Sequence, residues 1–141
     1  MKVHHLNCGS FCPYKIPLIN PKPIEECCHC LLIETESGLI LVDSGYSTLD
    51  IEEPFSRLGL SPLLLRASLK FEETAFAQVK QKGFRVEDVR HVILTHLDPD
   101  HAGGIVDFPN AQVHVLEDEF VAVKKLCEKK GQWQKRFRPQ N

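Results

Sequence analysis

Between Thr95 and Gly104 the chain reads Thr-His-Leu-Asp-Pro-Asp-His-Ala-Gly-Gly, and within it His96, Asp98, Asp100 and His101 all carry metal-capable groups. Imidazole nitrogen and carboxylate oxygen both bind zinc, and they also suit manganese and ferrous iron. His96 and Asp98 stand two apart, so in an extended segment their side chains share a face. Pro99 then turns the chain, and Asp100 and His101 can point to a second, neighbouring position. The spacing suggests two adjacent metal positions rather than one. Taken singly, each of these residues is explained as well by a polar loop that caps a strand and opens a helix. The combination favours metal binding, because polar loops rarely place four such ligands after an apolar strand and before paired glycines.

The elements that must aim these groups can be read around them. His91 to Thr95 is apolar enough for a buried strand running into the loop, and Gly103-Gly104 remove side chains where a helix must start close to it. Upstream, Lys2 to Leu6 reads as a first strand. Cys8 to Ile24 carries Pro13, Pro17, Pro21 and Pro23, which predicts an irregular segment. Cys28 to Thr35 and Leu39 to Val42 read as a hairpin turned at Glu36-Ser37-Gly38. Ile51 to Phe55 predicts a short helical turn, and Pro62 breaks the segment after it. Phe71 to Lys82 predicts a helix, with acids early, lysines late, Gly83 just past its end and an inward stripe of Ala75, Phe76 and Val79. Downstream, Ile105 to Phe108 finishes a short helix and Gln112 to Leu116 alternates as a half-buried strand. Glu117-Asp118-Glu119 then opens a helix that Lys124, Lys125, Lys129 and Lys130 load at its far end, with Phe120, Val123 and Cys127 facing the sheet. Gly131 to Asn141 reads as a tail.

Composition sets the frame. With 141 residues, 43% hydrophobic and 26% charged, the chain is ordinary for one soluble domain. A net charge of −2 steers it toward neither nucleic acid nor an anionic membrane. No apolar run approaches the roughly 20 residues of a spanning helix, and His4, His5 and Asn7 interrupt any signal-peptide core. The expected compartment is the cytoplasm, which makes the six cysteines reduced thiols. Cys8, Cys12, Cys27, Cys28 and Cys30 with His29 have poor spacing for a cysteine zinc site, and alternation sends Cys28 and Cys30 to the face opposite His29. His4, His5, His29, His91 and His114 lie in strands or at their ends and are left out of the site as structural residues.

The loop resembles the signature Thr-His-x-(His/Asp)-x-Asp-His-x-Gly-Gly of the metallo-β-lactamase superfamily, with Asp98 where His is more common. Met1 to Gly9 is similar to the opening strand of its lactonase-like branch. Cys30 to Thr35 with Gly38 to Gly45 resembles the next hairpin, and Val89 to Thr95 the strand that feeds the loop. The resemblance implies an α/β (α+β) fold, the N-terminal half of a metallo-β-lactamase αββα sandwich, with a mixed sheet and helices on one face. It makes residues 1–141 a single truncated domain. It implies that His96 and Asp98 bind a first metal, Asp100 and His101 a second, and that Asp100 also orients the attacking water or carries its proton. Asp43 corresponds to an aspartate below the loop that orders the site without being a standard ligand. The implied cofactor is zinc, binuclear in the complete domain, with manganese or iron as alternatives. The implied activity is hydrolysis of a lactone, ester or thioester by hydroxide held between the metals.

The family completes its site with a later His, a bridging Asp and a final His. After His101 this chain offers only His114 and the acids Asp107, Glu117, Asp118, Glu119 and Glu128. The alternative is therefore a catalytically incomplete metal-binding half-domain that associates with another chain. The expected partner is a small-molecule substrate, with no nucleic acid and no membrane. An exposed sheet face offers a route to a homo-oligomer.

Overall fold

The computed structural model describes residues 1–11 and 26–128. The expectations for Cys12, for the prolines between Pro13 and Pro23, for Lys129 and Lys130 and for the tail lie outside the described residues. Five strands form one sheet in sequential order: β1 (Lys2–Phe11), β2 (Glu26–Thr35), β3 (Gly38–Val42), β4 (Val89–Ile93) and β5 (Gln112–His114). β1, β2 and β3 pair antiparallel, and β4 and β5 join parallel, so the sheet is mixed. The switch falls at β3 and β4, whose C-terminal ends lead into Asp43 and the His96 loop.

Alternation sorts the two faces. Leu6 and Cys8 of β1, Cys28, Cys30 and Leu32 of β2, Leu39 and Leu41 of β3, and Val89 and Val92 of β4 are buried on one side. They form a single core with Ala75 and Val79, from a helix that packs on this face, and with Phe108. On the other side Leu31, Ile33, Ile40 and Val42 are only partly buried, and Ile93 is exposed. That open face carries two histidine pairs, His5 with His29 and His91 with His114, whose ring nitrogens lie 2.8 and 3.0 Å apart.

The helices α1 (Thr48–Glu52), α2 (Pro54–Leu58), α3 (Ser61–Leu65), α4 (Ala75–Gln81), α5 (Pro99–Ala102) and α6 (Glu117–Glu128) differ from expectation in instructive places. β1 runs on to Phe11 because Ser10 and Phe11 find partners at Cys27 and Glu26, past an irregularity between Asn7 and Ser10. Pro62 opens α3 instead of breaking the chain, since a first-turn proline removes no helical hydrogen bond. The helix expected over Phe71–Lys82 is split: Phe71–Glu73 is a 3₁₀ turn, and α4 begins only after Thr74, whose hydroxyl caps the Ala77 amide. Ala77 is buried there, while Phe76 stays partly exposed.

The helix after the metal-capable loop starts at Pro99, ahead of the glycine pair. Gly103–Asp107 is a 3₁₀ turn rather than the end of an α-helix. α6 lies over the sheet across a cavity of about 700 Å³, lined by Phe120, Val123 and Cys127 on its side and by Leu94, Leu97 and Val115 on the other. Phe120 is therefore still 53% exposed. Among the described residues no helix is long and apolar enough to cross a membrane.

Candidate metal centre

β4 ends at Ile93, and the next residues are held by neighbours rather than by sheet pairing alone. Leu94 donates its amide to His114 O at 2.9 Å, and Thr95 donates its amide and hydroxyl to the Asp43 carboxylate, both at 2.8 Å. Asp43 itself is tied down, its amide reaching Ile93 O at 2.8 Å. The loop thus leaves the sheet with its first residue fixed, and His96 and Asp98 follow from that anchor.

The four residues singled out from the sequence come together as two pairs. His96 Nε2 lies 3.4 Å from Asp98 Oδ2, and His101 Nε2 lies 3.5 Å from Asp100 Oδ2. The His96 and His101 rings are neighbours, with centroids 4.0 Å apart. All four side chains are part-exposed, so solvent and solutes reach them. Asp98 is extended, and Pro99 opens the short helix that swings Asp100 and His101 round toward the first pair.

Asp43 decides which nitrogen of His101 is available. Its Oδ2 lies 3.0 Å from His101 Nδ1. A carboxylate only accepts, so Nδ1 carries the hydrogen and Nε2, on the Asp100 side, keeps its lone pair in the neutral ring. The electrostatics agree. The hydrogen bond to Asp43 raises the His101 pKa above the ordinary imidazole value, against the opposing effect of burial. Burial would raise the Asp43 pKa, but hydrogen bonds from His101 and from the Thr95 amide and hydroxyl carry it below the usual aspartate value.

Two further residues hold the loop. Ser44 donates its amide and hydroxyl to His101 O, at 2.7 and 2.9 Å. The buried thiol of Cys28 donates to Asp100 O. In the sequence Cys28 reads as a small apolar filler and Ser44 as part of a strand end. Their roles depend on contacts 72 and 57 residues away, for which the sequence offers no local signal. Cys30 has no such contact with the loop. Its thiol sits beside Cys28 and Cys8, and those neighbours together with burial push its pKa up, which makes it inert.

Zinc held by nitrogen and oxygen at about 2.0–2.1 Å in tetrahedral geometry sets its ligands roughly 3.3–3.4 Å apart. The His96–Asp98 separation of 3.4 Å falls on that edge and the His101–Asp100 separation of 3.5 Å just beyond it, so the members of each pair are near enough to share one ion. Among the described residues no group of three or more His, Cys, Asp and Glu converges to hold an ion. The four part-exposed side chains accordingly fit a metal only as a partial ligand set.

The chain belongs to the metallo-β-lactamase superfamily, whose family model matches residues 26–117. Members of that superfamily bind metals. The chain is 43% identical over 140 residues to a probable metallo-hydrolase of Mycobacterium tuberculosis, covering 94% of this chain and 42% of the relative. It is 33% identical over 97 residues to an N-acyl homoserine lactonase of Bacillus cereus, covering 67% of this chain and 38% of the relative. The structure superposes on that of an N-acyl homoserine lactone hydrolase with its product, N-hexanoyl-L-homoserine, at the catalytic metal center. There the TM-score is 0.67 and the identity 26%, over 87% of this chain and 51% of that one. The chain thus spans about two-fifths of the length of these curated relatives.

Proposed function

We propose that this chain supplies four ligands to the active site of a metal-dependent hydrolase that opens a lactone, ester or thioester. The observation that carries the reading is the pairing of His96 with Asp98 and of Asp100 with His101, at ligand-to-ligand separations. It is supported by the similarity to proteins named as lactonases. Bound between these donors, divalent ions supply Lewis acidity toward a carbonyl oxygen and make water more acidic. Zinc in a binuclear arrangement suits the two adjacent pairs, and the carboxylate of Asp98 also admits manganese or iron.

The chain's own residues do the rest. His101 offers Nε2 because Asp43 occupies Nδ1. Ser44 and Cys28 hold the carbonyls of the two residues of the second pair, so their side chains leave the backbone in a fixed direction. Asp98 brings negative charge to the first pair where a histidine would bring none. Asp100, part-exposed beside His101, would orient a water at the loaded site and take its proton, and a small-molecule substrate would enter from the solvent side of the four residues.

The test is hydrolysis of a panel of N-acyl homoserine lactones, aryl esters and thioesters by the chain loaded with zinc or manganese. Asp100→Asn is expected to lower any turnover by at least about 10²-fold, the scale of a lost acid–base group. Turnover that survives both Asp100→Asn and metal removal would contradict the reading.

A second reading is favoured by the absence of a third ligand for either pair among the described residues. In it the chain is a metal-binding half-domain without turnover of its own, which associates with another chain through the open sheet face. Loss of hydrolysis across the whole panel, with metal uptake intact and a mass above that of the monomer in light scattering, distinguishes it from the first.

A further inference from the structure

The pair His96 and Asp98 has a support that none of the family-like features predicts. Glu119 lies 22 residues beyond Leu97, in the first turn of α6, and its Oε1 accepts the Leu97 amide at 3.0 Å. Leu97 is the residue between the two ligands. Its peptide is therefore fixed by a carboxylate from outside the loop, in the way Cys28 and Ser44 fix the peptides of Asp100 and His101. In the sequence Glu119 is one of three acids that merely favour a helix start. In the structure it is partly buried and turned toward the loop.

The rest of α6 makes this contact stand out. Its apolar side lies across the open cavity from Leu94, Leu97 and Val115 rather than packed against them. The hydrogen bond from the Leu97 amide is thus a specific link between a loosely seated helix and the ligand loop.

We propose that Glu119 is a positioning residue for the first metal pair: by holding the Leu97 amide it sets the direction in which His96 and Asp98 leave the backbone, and so the affinity and geometry of the ion they share. This rests on the reading of His96 and Asp98 as ligands. The role requires an acceptor at the end of a side chain of this length, not a negative charge. Glutamine at this position keeps the acceptor oxygen, and alanine removes it.

The experiment uses the 141-residue chain, with cobalt(II) as a spectroscopic stand-in for the native ion. Three readouts are taken on wild type, Glu119→Ala and Glu119→Gln: cobalt affinity by chelator competition, the visible ligand-field spectrum of the cobalt form, and hydrogen exchange of the Leu97 amide in metal-free protein. Glu119→Ala is expected to weaken cobalt binding by about 10-fold or more, alter the ligand-field bands and lose Leu97 protection. Glu119→Gln is expected to restore the spectrum and most of the protection, with affinity within about 3-fold of wild type. A helix start that is only structural would move none of the bands.

Wild-type affinity, spectrum and Leu97 protection in Glu119→Ala would overturn the inference. So would a glutamine variant that behaves like alanine. A wild-type chain that takes up no cobalt would instead overturn the metal reading of His96 and Asp98. Loss of Leu97 protection in Glu119→Ala would still establish the clamp in that case, and retained protection would refute it. Should Glu119→Ala lose its far-ultraviolet circular dichroism, Glu119→Asp takes its place: it keeps an acid at the helix start but shortens the reach to the Leu97 amide, so it is expected to lose Leu97 protection and shift the bands, and wild-type protection and bands in it would overturn the inference.

Discussion

Asp43 adopts a φ of +55°, a left-handed conformation that Asp and Asn tolerate better than other side chains. In that position its carboxylate receives hydrogen bonds from Thr95 N, Thr95 Oγ1 and His101 Nδ1. Asp43→Asn keeps the shape and the backbone preference, removes the charge and turns one accepting oxygen into a donor. It is expected to destabilise the metal-free chain by about 1–3 kcal/mol in urea unfolding, because three donors lose a buried charged acceptor. It is also expected to weaken metal binding by about 10- to 100-fold, because His101 is no longer held in one tautomer. Much at this scale is legible in the chain. The ligand-type side chains stand out by kind and spacing, and Asp43 stands out only through the family resemblance. Ser44, Cys28 and Glu119 are not legible, because each acts on a peptide group far away in sequence. A main-chain hydrogen bond leaves no mark on the residue that receives it.

At the scale of elements, the loop is seated where the end of β3 meets the 3₁₀ turn Gly103–Asp107. Gly104 donates its amide to Gly45 O at 2.8 Å, and a Cβ on Gly104 would press into the Ser44 carbonyl. A Cβ on Gly103 would lie 2.7 Å from Asp50 Oδ2, and Asp50 is fixed by its capping box with Ser47 and by Arg57. The glycine pair is therefore required for close approach of backbones, and not to start a helix. Gly104→Ala is expected to cost about 1–3 kcal/mol of stability, the usual scale of overpacking, with a matching fall in the urea midpoint.

The same turn is pinned to α1 through Asp107, which accepts from Thr48 N at 2.9 Å and Thr48 Oγ1 at 2.6 Å. Burial nevertheless raises the Asp107 pKa above 3.8, outweighing those hydrogen bonds. The folded chain then binds this proton more tightly than the unfolded chain does. The Asp107 contribution to stability therefore rises as pH falls through its raised pKa toward 3.8, and shrinks as pH climbs back. Comparing urea unfolding of wild type and Asp107→Asn across about pH 3–7 checks the sign: the wild type should lose ground relative to the variant as pH rises. Alternation is clear in β2 and β3, where burial repeats every second residue, but β5 ends at His114 with all three residues exposed, against the half-buried strand that the alternation of Gln112 to Leu116 predicts. The split of the Phe71–Lys82 helix is not readable in the sequence, because Thr74 acts as a cap only once the 3₁₀ turn before it has formed.

At the scale of the whole molecule, one side of the sheet is a packed core and the other is an open surface of half-buried aliphatic side chains bordered by histidine pairs. Half-buried apolar positions on one sheet face are what a second layer would cover. The family resemblance anticipates the mixed sheet, while the sequential strand order comes from the structure. The cavity beneath α6 has no sequence signal, since periodicity predicts which side of a helix faces inward but not how closely it is packed. If the open face is an association surface, a charge at its centre should abolish association and leave the loop untouched. Ile40→Lys is expected to shift the chain to monomer in light scattering while cobalt affinity changes by less than about 2-fold, because Ile40 lies on the face opposite the core and away from the loop's anchors.

The central claim is that His96, Asp98, Asp100 and His101 are ligands, and zinc K-edge X-ray absorption on the chain loaded with one zinc tests it most directly. A first shell of nitrogen and oxygen at about 2.0–2.1 Å with imidazole outer-shell scattering is expected, and it should be lost in the double variant His96→Ala/His101→Ala. A sulfur shell near roughly 2.3 Å, or a spectrum unchanged in the double variant, would place the ion elsewhere and contradict the claim.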